Sequence, residues 1–218
     1  VLGTGSGTDA LIFALKAFDI GPGNEVIVPA FGCVPMASAV SWVGASPIFT
    51  DTQNADYAIA PDKIEEKITS KTKAIIIAHL FGQPTGGIQN VLDIARSRGI
   101  SVIEDAAQSF RAKIEINGEW KDAGTIGDIG CLSFSSTKIF SAPGNGGAIV
   151  VRKPDLANKI RRMRFYGAKT LYYDHPVIGI NSTLNEINAA ILLAKLPFLE
   201  YWLEHRRKLA NRYAEKLF

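Results

Sequence analysis

The sequence has few of the features that would point to a zinc, redox or membrane protein. Its 218 residues include only two cysteines, Cys33 and Cys131, which lie far apart without the paired spacing of a metal or redox site. No run of about 18 uninterrupted apolar residues occurs, and no basic and then apolar leader opens the chain. These absences predict a soluble, cytoplasmic protein with no metal site and no membrane partner.

A strong charge of either sign is also missing. The formal net charge is +3, and the basic residues are scattered apart from clusters at 159–164 and 205–208. Both clusters fall on predicted helices, where a solvated face is commoner than an anion-binding surface. Nucleic acid is therefore not an expected partner.

A regular alternation of strand and helix patterns runs through the chain. The apolar run at 73–78 predicts a buried strand, and helical periodicity appears at 8–18 and again at 88–98. An Asn117-Gly118 pair between two short β-prone arms predicts a hairpin. We expect an α/β domain with a mainly parallel sheet flanked by helices on both faces.

A glycine-rich segment, residues 3–8, leads directly into the first predicted helix. Free N–H groups and the positive end of the helix dipole bind phosphate at such places. The segment matches neither the Gly-Lys-Ser/Thr ending of a phosphate loop nor the G-x-G-x-x-G dinucleotide pattern. The structural alternative is an ordinary glycine turn on which Thr8 is the helix N-cap.

Several polar residues follow predicted strands, at the edge of the sheet where open α/β folds bind ligands. Asp105 and Gln108 follow one strand, although Asp-x-x-Gln is also the spacing of a helix capping box. Lys138 follows another strand, and a glycine loop at 144–147 that permits close backbone approach comes next. His79 closes a third strand and is expected to be a hydrogen-bonded core histidine.

Together these segments resemble the nucleotide-sugar aminotransferase family of the DegT/StrS type, within the fold type I enzymes that use pyridoxal 5′-phosphate (PLP). The set is specific because its members occur in family order across nearly the whole chain. The resemblance implies that residues 1–218 are the PLP-binding large domain, a fragment without the extreme N-terminus and a C-terminal small domain. The matching segments are residues 5–11, 21–31, 79–84, 104–108, 127–134, 137–138 and 179–182.

The resemblance assigns three residues to the cofactor ring. Lys138 would form the Schiff base, Asp105 would pair with the pyridine nitrogen, and Gln108 would contact the ring oxygen. A lysine amine suits this chemistry because it acts as nucleophile and then as base. A carboxylate beside the ring nitrogen keeps that nitrogen protonated, so the cofactor remains an electron sink.

The resemblance also assigns the phosphate ligands and the oligomeric state. Thr8 and Asp9 would bind the cofactor phosphate at the helix start, and Ser133 would add a hydroxyl. Family members are homodimers with shared active sites, in which Asn181 would reach the phosphate bound by the partner subunit.

Four residues depart from the family pattern, and they affect the substrate more than the cofactor. Cys33 stands where an aromatic ring often covers the cofactor, and Arg111 replaces a usual glycine. Asn145 replaces a usual aspartate, and Thr183 replaces a usual arginine.

The function that the resemblance implies is PLP-dependent transamination of a nucleotide-linked keto-sugar, with an amino acid donor, by family analogy glutamate. A PLP-dependent sugar dehydratase on the same scaffold is one alternative, but such enzymes have histidine at the position of Lys138. A non-catalytic ligand-binding or regulatory homologue is the other, because Cys33 and Thr183 depart from the pattern.

Overall fold

Strands and helices alternate along the chain in the computed structural model, which describes residues 1–170 and 173–217. The strands are β1 (Leu2–Thr4), β2 (Glu25–Pro29), β3 (Ser46–Thr50), β4 (Thr72–Ala78), β5 (Ser101–Asp105), β6 (Lys113–Ile116), β7 (Glu119–Asp122), β8 (Ile129–Ser133) and β9 (Gly147–Val151). The α-helices are α1 (Gly7–Ala17), α2 (Pro35–Trp42), α3 (Pro61–Glu65), α4 (Ile88–Arg98), α5 (Pro154–Met163), α6 (Glu186–Lys195) and α7 (Leu199–Leu217). No helix in this described part is long and apolar enough to cross a membrane.

Seven of the strands form one sheet in the order β1-β9-β8-β5-β4-β2-β3. The pairings from β8 across to β3 are parallel, whereas β9 and β1 are added to the other edge antiparallel. The expected mainly parallel sheet is therefore confirmed. Hydrophobic periodicity does not predict β1, because a strand of three residues is too short to show a periodicity of its own.

Helices cover both faces of the sheet because its central strands are apolar on both sides. In β4, Ile76 packs into the core formed with α1, α2 and α5, while Ile75 and Ile77 pack into the core formed with α3 and α4. All three side chains are fully buried. Since successive side chains of a strand point to opposite faces, one uninterrupted apolar run supplies both cores.

The predicted hairpin is present, and it is tied to α7. Its two strands, β6 and β7, are joined by Asn117 and Gly118, whose φ angles of 53° and 79° suit a tight hairpin turn. Arg111, just before the hairpin, has a φ of 68°, in the left-handed region that favours glycine. Its guanidinium group lies 3.4 Å from Asp122 and 3.0 Å from Glu200, so it joins the hairpin to the first turn of α7.

A buried carboxylate connects the loops at the carboxyl end of the sheet. Glu104 accepts hydrogen bonds from His79 Nε2 at 2.9 Å and from three backbone N–H groups of the 124–127 loop at 2.6–2.8 Å. The Thr85 N–H donates to the other ring nitrogen, Nδ1 of His79, at 2.9 Å. Because Nδ1 accepts, the ring proton lies on Nε2 and the imidazole is neutral. The prediction that His79 is a hydrogen-bonded core histidine is confirmed.

Glu104→Ala should lower the free energy of unfolding by about 3 kcal/mol or more, because it leaves several buried donors without an acceptor. Urea denaturation at neutral pH measures the loss. Glu115→Ala, at an exposed position of the hairpin, is the matched control and should change stability by less than about 0.5 kcal/mol. If both substitutions lower the free energy of unfolding equally, the Glu104 hydrogen bonds do not stabilise the fold beyond the effect of an exposed glutamate.

Candidate active site

A cleft of about 230 Å³ opens where β5 and β8 end beside the start of α1. This is the edge at which open α/β sheets bind ligands. Five of the seven residues that the resemblance assigned to the cofactor line the cleft together. They are Thr8, Asp105, Gln108, Ser133 and Lys138.

The first turn of α1 leaves backbone N–H groups for an anion. Ser6 is the N-cap of this helix, and its Oγ accepts the Asp9 N–H at 3.0 Å. The alternative in which Thr8 is the cap is therefore wrong, because the helix begins one residue before it, at Gly7. The N–H groups of Gly7 and Thr8 belong to the unpaired first turn at the cleft wall, and this arrangement is typical of phosphate sites.

Serine hydroxyls lie beside this helix start. A Cβ atom built on Gly7 would lie 2.8 Å from Ser133 Cβ, so only glycine allows α1 to approach the end of β8 this closely. Ser133 Oγ in turn accepts the N–H of Ser135 at 3.4 Å, and both serines line the cleft. The helix N-terminus and these hydroxyls together offer the donors that a phosphate group requires.

Asp105 is held at the end of β5 with its carboxyl group in the cleft wall. Burial raises the pKa of this carboxyl, and the hydrogen bond from the Ala107 N–H and the charge of Lys138 oppose that rise only in part. The Ala107 N–H donates to Asp105 Oδ1 at 3.1 Å. No helix starts here within the described residues, and Gln108 does not bond back to Asp105, so the capping-box interpretation is wrong. A cation in the cleft would therefore stabilise the ionised form of this carboxyl group.

Gln108 is oriented by its neighbours. Its Oε1 accepts the backbone N–H of Phe81 at 2.8 Å, and its Nε2 donates to Cys33 Sγ at 3.2 Å. Because the Phe81 N–H can only donate, it fixes which end of the amide is oxygen. The amide nitrogen therefore lies on the Cys33 side, where both side chains line the cleft.

Lys138 brings an amine to the same cleft. Its side chain is half-buried, and its backbone N–H donates to the Ser135 carbonyl at 2.9 Å in the turn that follows β8. Among residues 1–170 and 173–217, no side chain holds the Lys138 amine by a hydrogen bond or ion pair. A primary amine and a buried carboxylate thus share one small volume, and their opposite charges stabilise one another.

Two of the residues assigned by the resemblance lie outside the lining of the cleft. The Asp9 carboxylate accepts the Ser182 hydroxyl at 2.8 Å, and Ser182 Oγ accepts the Gly5 N–H at 3.0 Å. Asn181, next in the chain, is exposed and forms a β-bridge with Phe165. The roles of Asp9 and Asn181 at the phosphate stay predictions.

The sequence analysis did not assign several other residues of the cleft. Five of these eleven lie within three residues of an assigned one, so the neighbours on the same turn or loop carried a signal for them, whereas the other six lie in segments without an assigned residue. Within the described part of the chain, no group of three or more His, Cys, Asp or Glu side chains is placed to hold a metal ion. The further lining residues are Ser6, Gly7, Leu11, Cys33, Pro35, His79, Leu80, Ala107, Ser135, Asn145 and Gly146.

This sheet and cleft define an aminotransferase-type α/β domain, with an amine, a buried carboxylate and a helix N-terminus around one pocket. The chain belongs to the DegT/DnrJ/EryC1/StrS aminotransferase family, whose family model matches residues 1–218. The resemblance stated from the sequence is thereby confirmed, and so is the expected fold class.

Two curated relatives illustrate the range of proteins that the chain resembles. UDP-N-acetyl-3-dehydro-alpha-D-glucosamine 3-aminotransferase of Acidithiobacillus ferrooxidans is 44% identical over 99% of this chain and 57% of its own length. A pleiotropic regulatory protein of Geobacillus stearothermophilus is 43% identical over 99% of this chain and 56% of its own length. The chain thus spans little more than half the length of the relatives that it matches.

Solved structures show the same fold. DesV of S. venezuelae, in complex with a ketimine intermediate, matches with a TM-score of 0.89 and 35% identity over 99% of this chain and 57% of that one. NtdA of Bacillus subtilis, solved with bound cofactor PMP, matches with a TM-score of 0.89 and 35% identity over 99% of this chain and 48% of that one.

Asp105→Asn should stabilise the cofactor-free protein at neutral pH. Because burial raises the pKa of Asp105, the folded state binds a proton more readily than the unfolded state. Wild-type stability therefore falls as the pH rises from the usual aspartate pKa to the raised one, and the loss persists above it. Asparagine carries no charge and keeps an oxygen for the Ala107 N–H.

The expected rise in Tm at pH 7 is about 2–4 °C, the shift that 1 kcal/mol gives in a chain of this size. Thermal unfolding of the cofactor-free protein over a pH series measures this rise. The difference in Tm between Asp105→Asn and wild type should vanish below the usual aspartate pKa. Asp93→Asn, on the exposed side of α4, is the control and should leave Tm unchanged. A lower Tm for Asp105→Asn at pH 7 would show that its carboxylate is well compensated.

Proposed function

We propose that the protein is a PLP-dependent aminotransferase that moves an amino group from an amino acid, by family analogy glutamate, to a nucleotide-linked keto-sugar. The observation that carries the proposal is the shared cleft of Lys138, Asp105 and the first turn of α1. In this proposal residues 1–218 are the cofactor-binding large domain. The name of the Acidithiobacillus ferrooxidans relative describes transfer to a UDP-linked 3-dehydro sugar, which supports the substrate class.

The donors and charges of the cleft fit PLP group by group. The first turn of α1 and the Ser133 hydroxyl would hold the phosphate, where the N–H groups of Gly7 and Thr8 lie. Asp105 would face the ring nitrogen, because its carboxylate is buried and needs a positive partner. Gln108 Nε2 would donate to the ring oxygen, since the Phe81 N–H occupies the other end of its amide.

When bound, PLP supplies the electron sink for the bond that breaks at the amino acid α-carbon. Lys138 Nζ would hold the cofactor at its aldehyde group, and as a free amine it would move the proton that leaves the α-carbon of the amino acid. Asp105 would keep the ring nitrogen protonated. The positive charge of the ring would in turn stabilise the ionised carboxylate and oppose the effect of burial. Cys33, beside Gln108, would lie at the ring in place of the more usual aromatic side chain.

The proposal includes a homodimer with shared active sites. Asn181 is exposed, and it lies next to Ser182, whose hydroxyl joins Gly5 and Asp9 at the start of α1. An exposed amide held so close to the phosphate end of the cleft, yet outside its lining, is suited to serve the site of a second subunit.

A regulatory protein on the same scaffold is the second candidate, and the name of the Geobacillus stearothermophilus relative favours it. Absorbance spectra recorded as glutamate is added distinguish the two candidates. An aminotransferase converts bound PLP to PMP, whereas a protein that only binds the cofactor does not. The dehydratase alternative is disfavoured because Lys138 occupies the position that is histidine in those enzymes.

Borohydride reduction of the protein with PLP should place a pyridoxyl group on Lys138, because among the described residues it is the lysine that lines the cleft. Peptide mapping by mass spectrometry locates the adduct, and Lys138→Arg is the control that should abolish it while keeping the positive charge. An adduct mainly on Lys113 or Lys169 would refute the assignment.

A mixed dimer tests the role of Asn181. If Asn181 serves the partner's site, pairing a Lys138→Ala subunit with an Asn181→Ala subunit places both defects in one site and leaves the other intact. Mixing the purified variants should then restore up to half of the wild-type activity per dimer. Losing one hydrogen bond to a charged phosphate costs about 1.5–3 kcal/mol, so the Asn181→Ala homodimer should show a measurable defect.

Subunit exchange is verified independently, with differently tagged subunits recovered together. If exchange occurs and no wild-type-like cofactor affinity or turnover returns, each site is built within one subunit and the shared-site proposal is refuted.

A further inference from the structure

Three exposed aromatic rings cluster beside the cleft. Phe31 follows β2, Tyr57 lies in the loop after β3, and Phe81 follows β4, so three separate loops bring them together. The ring centroid of Phe31 lies 5.6 Å from that of Tyr57 and 6.3 Å from that of Phe81. The side chains are 45%, 61% and 77% exposed in that order. Core packing therefore does not account for this cluster, which we call the aromatic rim.

Two residues of the aromatic rim hold an unfavourable backbone conformation. Tyr57 has a φ of 58° and Phe81 a φ of 56°, in the left-handed region that bulky side chains rarely adopt. Asparagine or glycine would adopt it more readily at either position. Exposed residues with a strained backbone are found at ligand sites more often than elsewhere, because there a functional role of the side chain offsets the cost of the strain.

Hydrogen bonds hold the loops of the aromatic rim in place and join them to the cleft. Asp56 accepts from Gln53 Nε2 at 2.8 Å and from the Gly86 N–H at 2.9 Å, so it joins the Tyr57 loop to the loop after β4. Gln108, which lines the cleft, accepts the Phe81 N–H at 2.8 Å. The rings are thus presented by a hydrogen-bonded frame and not by loose loop ends.

A basic groove begins at the aromatic rim. It lies between the hairpin and α7, and Phe81 lines it together with Arg111, Lys113, Arg206 and Arg207. Ile139, the neighbour of Lys138, also lines it, so the groove and the cleft meet at adjacent residues. Arg111, Lys113 and Arg207 have carboxylate partners, whereas Arg206 forms no ion pair within the described residues.

Exposed rings next to uncompensated positive charge match the chemistry of a nucleotide. A base stacks on aromatic faces whatever its identity, and phosphate oxygens pair with guanidinium groups. A keto-sugar whose reacting carbon reaches Lys138 would carry its nucleoside diphosphate outward to the mouth of the cleft.

We propose that the base of the nucleotide-linked substrate stacks on the aromatic rim, chiefly on Phe81, and that its diphosphate is bound by Arg206 in the basic groove. This inference rests on the proposed function, whose substrate is nucleotide-linked. It names the subsite that distinguishes a nucleotide-linked sugar from a free one.

Titration of the protein with UDP alone, followed by calorimetry, tests the subsite. Phe81→Asn removes the ring and suits the left-handed backbone, so it should fold normally and weaken UDP binding by roughly 5- to 150-fold, the range for loss of one stacked base. Trp120→Asn is the matched control, because Trp120 is 66% exposed on the hairpin and lies outside the groove lining. It should leave UDP affinity unchanged.

Inorganic pyrophosphate separates the two halves of the subsite. Arg206→Ala should weaken UDP and pyrophosphate alike, while Phe81→Asn should weaken UDP only. Arg212→Ala, an exposed position on the same helix and outside the groove lining, should weaken neither.

The proposal is overturned if wild-type protein does not bind UDP, or if Phe81→Asn and Arg206→Ala bind UDP as wild type does. It is equally overturned if Phe81→Asn leaves UDP affinity intact and instead dissociates the dimer in sedimentation, because the rim would then be a contact between two copies of the chain. Reduction of PLP onto Lys138 needs no nucleotide, so that experiment tells separately whether the aminotransferase proposal stands.

Discussion

The arrangement of the cleft depends on the buried carboxylate of Glu104. Four donors meet there, from the loop after β4 and from the loop before β8, so the ends of neighbouring strands are held in one register. Asp105 is the next residue of β5, and side chains of adjacent strand residues point to opposite sides. One carboxylate is therefore saturated with hydrogen bonds inside the fold, and the next one is left undercompensated at the cleft. Glu104 holds the loops in place, and Asp105 supplies a charge that a cationic ligand would stabilise.

Several features beside the cleft are unfavourable for folding alone. Burial raises the pKa of Asp105, and Tyr57 and Phe81 occupy left-handed backbone although their side chains are exposed. Away from it, polar groups with little access to solvent are mostly hydrogen-bonded, as Glu104 is with the N–H groups of the 124–127 loop. This contrast separates residues that maintain the fold from residues that contact a ligand. Uncompensated charge and backbone strain are typical of the second group, because a bound ligand can offset their cost.

Prediction from the sequence succeeded where the signal was local. The apolar run of β4, the Asn117-Gly118 turn and the placement of Asp105 and Lys138 after strands are all patterns that neighbouring residues define. It failed where the partner of a polar group is distant in sequence. The Asp-x-x-Gln spacing fitted a capping box, but Gln108 bonds to Cys33 and Phe81, in loops that follow two other strands. One further error was local: Thr8 fitted an N-cap, but Ser6 takes that role because the helix begins at Gly7.

By itself the sequence determined the order of strands and helices, the burial of the sheet on both faces, and the edge of the sheet where polar residues gather. Those properties follow from hydrophobic periodicity and turn chemistry, which act over a few residues. Only the tertiary structure decided that the His79 proton lies on Nε2, that the Gln108 amide nitrogen lies on the Cys33 side, and that the rings of the aromatic rim meet. Each of these depends on atoms from loops far apart in the chain, which the folding of the sheet brings within hydrogen-bonding or stacking distance.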